Sequence, residues 1–350
     1  MREKIRKYQN RIINSIALLF LPMLLLLAVT VGGRFEIFGN IAEESMPQEK
    51  VDQIVVGVSQ LGSESGWRTA NTESVQNAFT QKNGCFLIYH NARQKQENQL
   101  KAIRSFISQR VDYIVFSPVV ETGWDTVLQE ARIADIPVIL MDRQVDVEDD
   151  SLYVTCVGSD FVEEGEKAGH WLETELVKRG SAGKIINIVM LLGTEGSSAT
   201  IGRTAGFASV ASKHKNWYIM EQADAEFTST KGKEVMRGFL RRYDDIDVVI
   251  SQNDDMTFGA IEAIQESGRS VGVNGDIIIV SFDAVKSALE MVEEGVINVD
   301  IECNPNQGEY LLRVIDDLEA GKAVEKQYYV EENIYTQENV TEELLRERSY

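Results

Sequence analysis

Two doubly wound α/β lobes in tandem are the fold that the sequence predicts, and three observations carry that reading. From Gln53 onward, short β-branched runs alternate with longer amphipathic segments. The short runs are apolar throughout instead of alternating with polar residues, the pattern of parallel strands covered on both faces. They are also too numerous for one compact sheet, and a break near Gly158-Ser159-Asp160 splits them into halves of similar rhythm.

In the first half, strands are expected at Ile54–Val58, Phe86–Tyr89, Tyr113–Phe116, Val138–Met141 and Tyr153–Val157. Between them, Gln96–Gln109 places Leu100, Ile103, Phe106 and Ile107 at three- and four-residue spacing, which makes one apolar helix face. Gly123–Ala134 behaves likewise, with Thr122 to Asp125 resembling a capping box in which Trp124 is structural. In the second half, strands are expected at Ile185–Leu192, Tyr218–Glu221, Val248–Ser251, Ile277–Ser281 and Ile297–Ile301. Helical patterns there run over Gly165–Lys178, Thr230–Tyr243, Phe258–Ser267 and Val285–Glu294. In doubly wound sheets, ligands sit outside the carboxyl ends of the strands, so polar clusters following strands are the places to search.

The 350-residue chain carries a formal net charge of −20, yet residues 1–11 hold five basic side chains against Glu3. An acidic body excludes nucleic acid as the partner, because phosphate binding needs a basic surface. Ile12 to Gly33 contains no charge. At about 1.5 Å per residue it is long enough to cross the ~30 Å hydrocarbon core of a membrane. Residues 1–34 are therefore expected to be an uncleaved anchor or a signal segment that leaves the body extracytoplasmic, and residues 35–52 a linker. Cys85, Cys156 and Cys303 show neither disulfide nor metal-ligand spacing and read as small buried hydrophobes. The histidines have no partner spacing for catalysis, and no metal or cofactor is expected.

Four clusters carry chemistry. Gly57 to Arg68 follows the first strand and ends in Trp67-Arg68, an aromatic face beside a rigid fork of donors; packing of the indole at a helix start is the competing reading. Asp142-Arg143 follows the fourth strand, where both groups are free for charge-assisted bonds to hydroxyls unless they form only a charged loop. Asn253-Asp254-Asp255 follows Val248–Ser251; one of the three caps the next helix, most simply Asp255, which leaves Asn253 free. Asp283 follows Ile277–Phe282. Gly193 to Ser198 lacks the lysine of a phosphate loop, which leaves Arg203 as the binding candidate in that segment.

From Gln53 to Tyr350 the chain resembles the periplasmic sugar-binding proteins of ABC transporters, in the ribose/galactose-type branch. The residues that carry the resemblance are Gly57 to Arg68 (GVSQLGSESGWR), Gln94 to Gln99 (QKQENQ), Pro118 to Trp124 (PVVETGW), Asp142-Arg143, Lys231 to Met236 (KGKEVM) and Asn253 to Met256 (NDDM). The resemblance implies a type I fold: two doubly wound, Rossmann-like lobes joined by a three-segment hinge. Residues 53–157 and 303–327 would form the first lobe, residues 158–302 and 328–350 the second. It implies a ligand site built from Glu64, Ser65, Gly66, Trp67 and Arg68 with Asp142 and Arg143 in the first lobe, and from Arg203, Asn253 and Asp283 in the second, with Glu302 as a further contact near a hinge crossing. Asn91 stands where close relatives carry an aspartate, which removes a charge-assisted acceptor and bears on the choice of sugar. The implied function is an extracytoplasmic receptor, not an enzyme, delivering a galactofuranose-like hexose or related sugar to an ABC permease. A membrane-tethered sensor presenting sugar to a histidine kinase or chemoreceptor is the rival. A glycosidase using two of Glu64, Asp142, Asp283 and Glu302 would need free carboxyls about 5–5.5 Å apart for retention, where arginines and hydroxyls are expected to neutralise each of them.

Overall fold

The structure is a computed structural model and describes residues 53–350; the expected membrane segment at residues 12–33 and the linker at 35–52 lie outside the described residues. In the first half the chain runs through β1 (Ile54–Gln60), α1 (Gly66–Ala78), β2 (Cys85–Asn91), α2 (Gln96–Gln109), β3 (Tyr113–Phe116), α3 (Asp125–Ile133), β4 (Val138–Asp142) and β5 (Thr155–Gly158). The second half continues with α4 (Phe161–Lys178), β6 (Ile186–Leu192), α5 (Ser198–Ala211), β7 (Trp217–Asp224), α6 (Ser229–Arg242), β8 (Val248–Ser251), α7 (Asp254–Glu266), β9 (Ile278–Asp283), α8 (Lys286–Glu293) and β10 (Val299–Glu302). A closing segment holds α9 (Gly308–Glu319), β11 (Gln327–Tyr329), β12 (Ile334–Tyr335) and α10 (Glu342–Glu347). No helix among the described residues is long and apolar enough to cross a membrane.

The strands form two six-stranded sheets, ordered β11-β5-β4-β3-β1-β2 and β12-β10-β9-β8-β6-β7. Apart from the antiparallel β10–β12 pair, the strand pairs are parallel. Apolar side chains leave both faces of each strand. Val56, Val58, Val115, Ile139 and Met141 pack on one side of the first sheet, and Ile114, Phe116 and Leu140 on the other. Val189, Leu191 and Val249 likewise oppose Ile188, Met190, Val248 and Ile250 in the second. Burial on both faces is why these strands read as continuous apolar runs.

Each sheet reverses its direction of winding beside its first strand, between β1 and β3 and between β6 and β8. A crevice opens at the carboxyl ends there. The chain changes sheets three times, after Gly158, after Glu302 and after Tyr329, and these crossings make the hinge. β11 straddles the expected lobe limit at residue 327. β11 and β12 span three and two residues and carry no periodicity for a sequence reading to detect.

The helix pair α4–α5 is held unusually close by two glycine stripes at four-residue spacing, Gly165 with Gly169 and Gly202 with Gly206. A Cβ on Gly206 would lie 2.0 Å from the Val162 carbonyl oxygen, and one on Gly165 would lie 2.3 Å from that of Arg203. The backbones are therefore in contact, which brings side chains from α4 to the base of Arg203 on α5. Gly206→Ala is expected to destabilise the protein by about 1–3 kcal/mol through overpacking. Gly183→Ala, with open space around its added methyl, should stay within about 0.5 kcal/mol of the parent; urea denaturation midpoints compare the two.

Candidate functional site

The carboxyl ends of the two sheets face each other across a cavity of about 300 Å³ lined by Glu64, Ser65, Trp67, Arg68, Asp142, Arg143, Phe161, Ala199, Arg203, Phe227, Asn253, Asp283 and Cys303. Its walls are built twice from one plan. Arg68 lies on the helix after β1 and Asp142 ends β4; Arg203 lies on the helix after β6 and Asp283 ends β9. Arg68 Nη2 donates to Asp142 Oδ2 at 2.7 Å and its Nε to Glu64 Oε1 at 3.0 Å. Arg203 Nη2 donates to Asp283 Oδ1 at 3.4 Å and its Nε to Glu164 Oε2 at 2.5 Å. The remaining nitrogens reach residues just after β3 and β8: Arg68 Nη1 meets Ser117 Oγ at 3.5 Å, and Arg203 Nη1 donates to the Gln252 carbonyl. Both aspartates sit at positive φ, 64° for Asp142 and 110° for Asp283. Such backbone is held only where surrounding bonds over-determine it, and here it turns each carboxylate into the cavity.

The electrostatics follow from burial. Burial alone would lower the Arg68 pKa, but Asp142 and Glu64 outweigh it and leave the pKa above the ordinary value. Arg203 is raised in the same way, with Glu164 the leading opponent of burial. Arg143 has a looser partner, Asp142 Oδ2 at 3.8 Å from its Nε; burial and the neighbouring Arg68 outweigh it and push the pKa down to about 10. Burial raises Asp283 well above the carboxylate range, against the pull of Arg203. Glu64 Oε2 and Arg143 Nε are buried without a hydrogen-bond partner, and an unmet polar atom of this kind costs about 1–3 kcal/mol. One acceptor and one donor are thus left for a small hydroxylated molecule. Apolar faces come from Trp67, Phe161 and Phe227, and the Arg143 guanidinium stands 5.1 Å from the Phe227 ring centre across the cleft.

The lobes are closed over this cavity. Gly66 N–H donates to Asp255 Oδ2 at 3.0 Å, Gln144 N–H to Ser198 Oγ at 3.0 Å, and Glu121 N–H to the Gly196 carbonyl at 2.9 Å. Trp67 Nε1 donates to the Cys303 carbonyl at the second crossing, at 2.6 Å.

A periplasmic binding protein domain model matches residues 56–323. The chain belongs to the periplasmic binding protein family. It is 40% identical over 300 residues to the galactofuranose-binding protein YtfQ of Escherichia coli K12, covering 85% of this chain and 92% of that one. A Mycobacterium smegmatis crystal structure in complex with β-D-fucofuranose matches with a TM-score of 0.80 at 43% identity, over 85% of this chain and 95% of that one. The periplasmic component of an arabinose ABC transporter from Shewanella sp. ANA-3, bound to α- and β-L-arabinofuranose, matches with a TM-score of 0.78 at 42% identity, over 84% and 95%. The two-lobed type I fold is the one these relatives share, and membership of the family implies an extracytoplasmic location.

Within this periplasmic binding protein, most of the residues singled out from sequence line one cavity, and three do not. Gly66 contributes its N–H to the closing bond with Asp255. Asn91 stands apart: it ends the edge strand β2, one strand beyond the winding reversal, and its side chain bonds Ser63 Oγ at 2.8 Å and accepts from Arg93 N–H. Glu302 is also outside the cavity lining, because Arg348 Nη1 (2.5 Å), Tyr350 Oη (2.7 Å) and Asn333 hold its carboxylate. The expected cap is reversed as well. Asn253 Oδ1 accepts from Met256 N–H and caps α7, while Asp255 is the residue left free to cross to the other lobe. The expected capping box before α3 does not form; Trp124 occupies the cap position and is fully buried against Phe116.

Phe161, Ala199, Phe227 and Cys303 are wall residues that the sequence reading missed. Phe161 had a signal, since it follows Ser159-Asp160 at a strand's carboxyl end. Glu164 is masked by its own neighbourhood, because Glu163-Glu164 reads as a solvated helix turn. Asp142→Ala is expected to destabilise the fold by about 3–5 kcal/mol, because it leaves Arg68 buried with half its countercharge removed; chemical denaturation measures it.

Proposed function

We propose that this periplasmic binding protein captures one neutral monosaccharide in its furanose form between the lobes and presents it to an ABC permease. The observation that carries the reading is the doubled arginine–aspartate wall around one closed cavity lined from both lobes. Arg143, Arg203, Asn253 and the outward oxygens of Glu64, Asp142 and Asp283 would take the hydroxyls, while Trp67, Phe161 and Phe227 would cover the C–H faces. With Glu64 and Asp142 held by Arg68 and Asp283 facing Arg203, the carboxylates suit recognition rather than the proton transfers of a hydrolase. The furanose sugars in the names of the three relatives support the ring form. A ligand that bonds both lobes favours the closed arrangement, and the closed surface is what a permease would read.

Residues 53–157 with 303–329 are proposed as the first lobe, and 158–302 with 330–350 as the second. Residues 12–33 are proposed to export the body or tether it to the membrane. Cell fractionation tests the tether: the full chain should sediment with membranes and a variant starting at residue 35 should not.

Calorimetric titration with galactose, fucose, arabinose and ribose tests the binding, with 13C NMR of the retained sugar reporting the ring form. Binding of at least one sugar as a furanose is expected, and failure of the whole panel would sink the proposal. Arg143→Ala should weaken that sugar roughly 10- to 100-fold, the worth of a hydrogen bond to a charged group. Asn91→Ala should leave its affinity unchanged.

A further inference from the structure

Outside the sugar cavity, one buried acidic cluster is not used by the binding proposal, and it sits on the hinge. Glu332 lies on the third crossing, between β11 and β12. Its Oε1 accepts from Ser159 Oγ on the first crossing and, at 3.0 Å, from Asn304 N–H on the second. A single carboxyl therefore ties all three hinge segments together. Across from it, carboxylate oxygens of Glu332 and Glu164 and the Cys303 thiol lie within 4.8 Å of one another. Glu164 is fully buried, and its Oε2 accepts from Arg203 Nε at 2.5 Å. The path from hinge to sugar cavity is thus Glu332, Glu164, Arg203.

We propose that closing the hinge over the sugar puts one proton on the Glu332–Glu164 pair, so that capture of the sugar is accompanied by proton uptake and weakens as the solution becomes alkaline. This rests on the sugar-receptor reading for its ligand arm only. Two carboxylates this close in a site shielded from water repel strongly when both are ionised, and a proton between them relieves the repulsion. Arg203 on α5 faces the pair but already serves Glu164 and Asp283. Lys167 on α4, the Cys303 thiol and Asp283 complete the titratable surroundings. Burial, reinforced by Glu164, raises the Glu332 pKa to about 8, and burial raises Glu164 as well. Opening the hinge separates Glu164 on α4 from Glu332 and returns the latter toward an ordinary carboxyl. The stabilisation of the closed form is then fully present below the ordinary carboxyl pKa, is lost as pH rises toward about 8, and is flat beyond it.

Calorimetric titration of the full chain with its tightest sugar, in buffers of different ionisation enthalpy at pH 7, should show proton uptake, and affinity should fall up to about tenfold between pH 7 and pH 9. Burial also raises Asp255 at the lobe contact and Asp283 in the cavity, so the diagnostic quantity is the part that Glu332→Gln removes. The amide keeps an acceptor for Ser159 and Asn304 but cannot ionise, and it should bind sugar at pH 7 and flatten the pH profile. Without sugar, the equilibrium between open and closed arrangements should shift toward the closed one as pH falls from 9 to 6, read as a smaller radius of gyration in X-ray scattering, and Glu332→Gln should remove that shift. This arm decides the proposal even if the sugar panel fails. An unchanged pH profile in the amide variant, or affinity that a chelator abolishes, overturns it: the first removes Glu332 from the titration, and the second puts a metal ion where the proton is placed.

Discussion

Two guanidinium groups, Arg68 and Arg203, are buried at the carboxyl ends of the two sheets, and much else in the molecule follows from the need to keep them there. A buried cation is tolerated only when it is paired and its donors are met. Each therefore gathers an aspartate from the end of a central strand, a glutamate from a helix or loop, and an acceptor from the segment after a third strand. These are the parts of one crevice in each sheet. Satisfying an arginine and assembling half of a polar wall are here the same structural act.

The second arginine adds a constraint on packing. Glu164 can reach Arg203 only because α4 and α5 touch backbone to backbone along their glycine stripes. The same helix carries Phe161 into the cavity and places Glu164 beside the hinge. Helix packing, cavity lining and the hinge crossing are consequently linked through a few residues on α4. The first lobe has no such link, since Glu64, the counterpart partner of Arg68, comes from the loop before α1 and faces the cavity directly.

Much of this was legible in the sequence, for reasons that can be stated. Parallel strands buried on both faces leave continuous apolar runs, so β1, β3, β4, β6, β8 and β9 and the polar residues that end them were readable. Asp142, Arg143 and Asp283 are readable because the carboxyl end of a strand is a place that sequence can name, and Arg203 because it is the cation on the helix that follows such an end. Asn91 follows a strand equally well, but sequence order does not reveal that β2 lies at the sheet edge. Glu164 was hidden by its neighbours, because a charged helix turn looks solvated until a second helix packs on it. The glycine spacing at 165 and 169 and at 202 and 206 was the available clue. Asn253 and Asp255 exchanged roles because capping and crossing the cleft use the same side-chain types.

The most direct test of the account is a crystal structure with the bound sugar. One furanose ring is expected between Arg143 of the first lobe and Arg203 with Asp283 of the second, in contact with Trp67. A sugar resting against one lobe alone, or lodged outside this cavity, would contradict it.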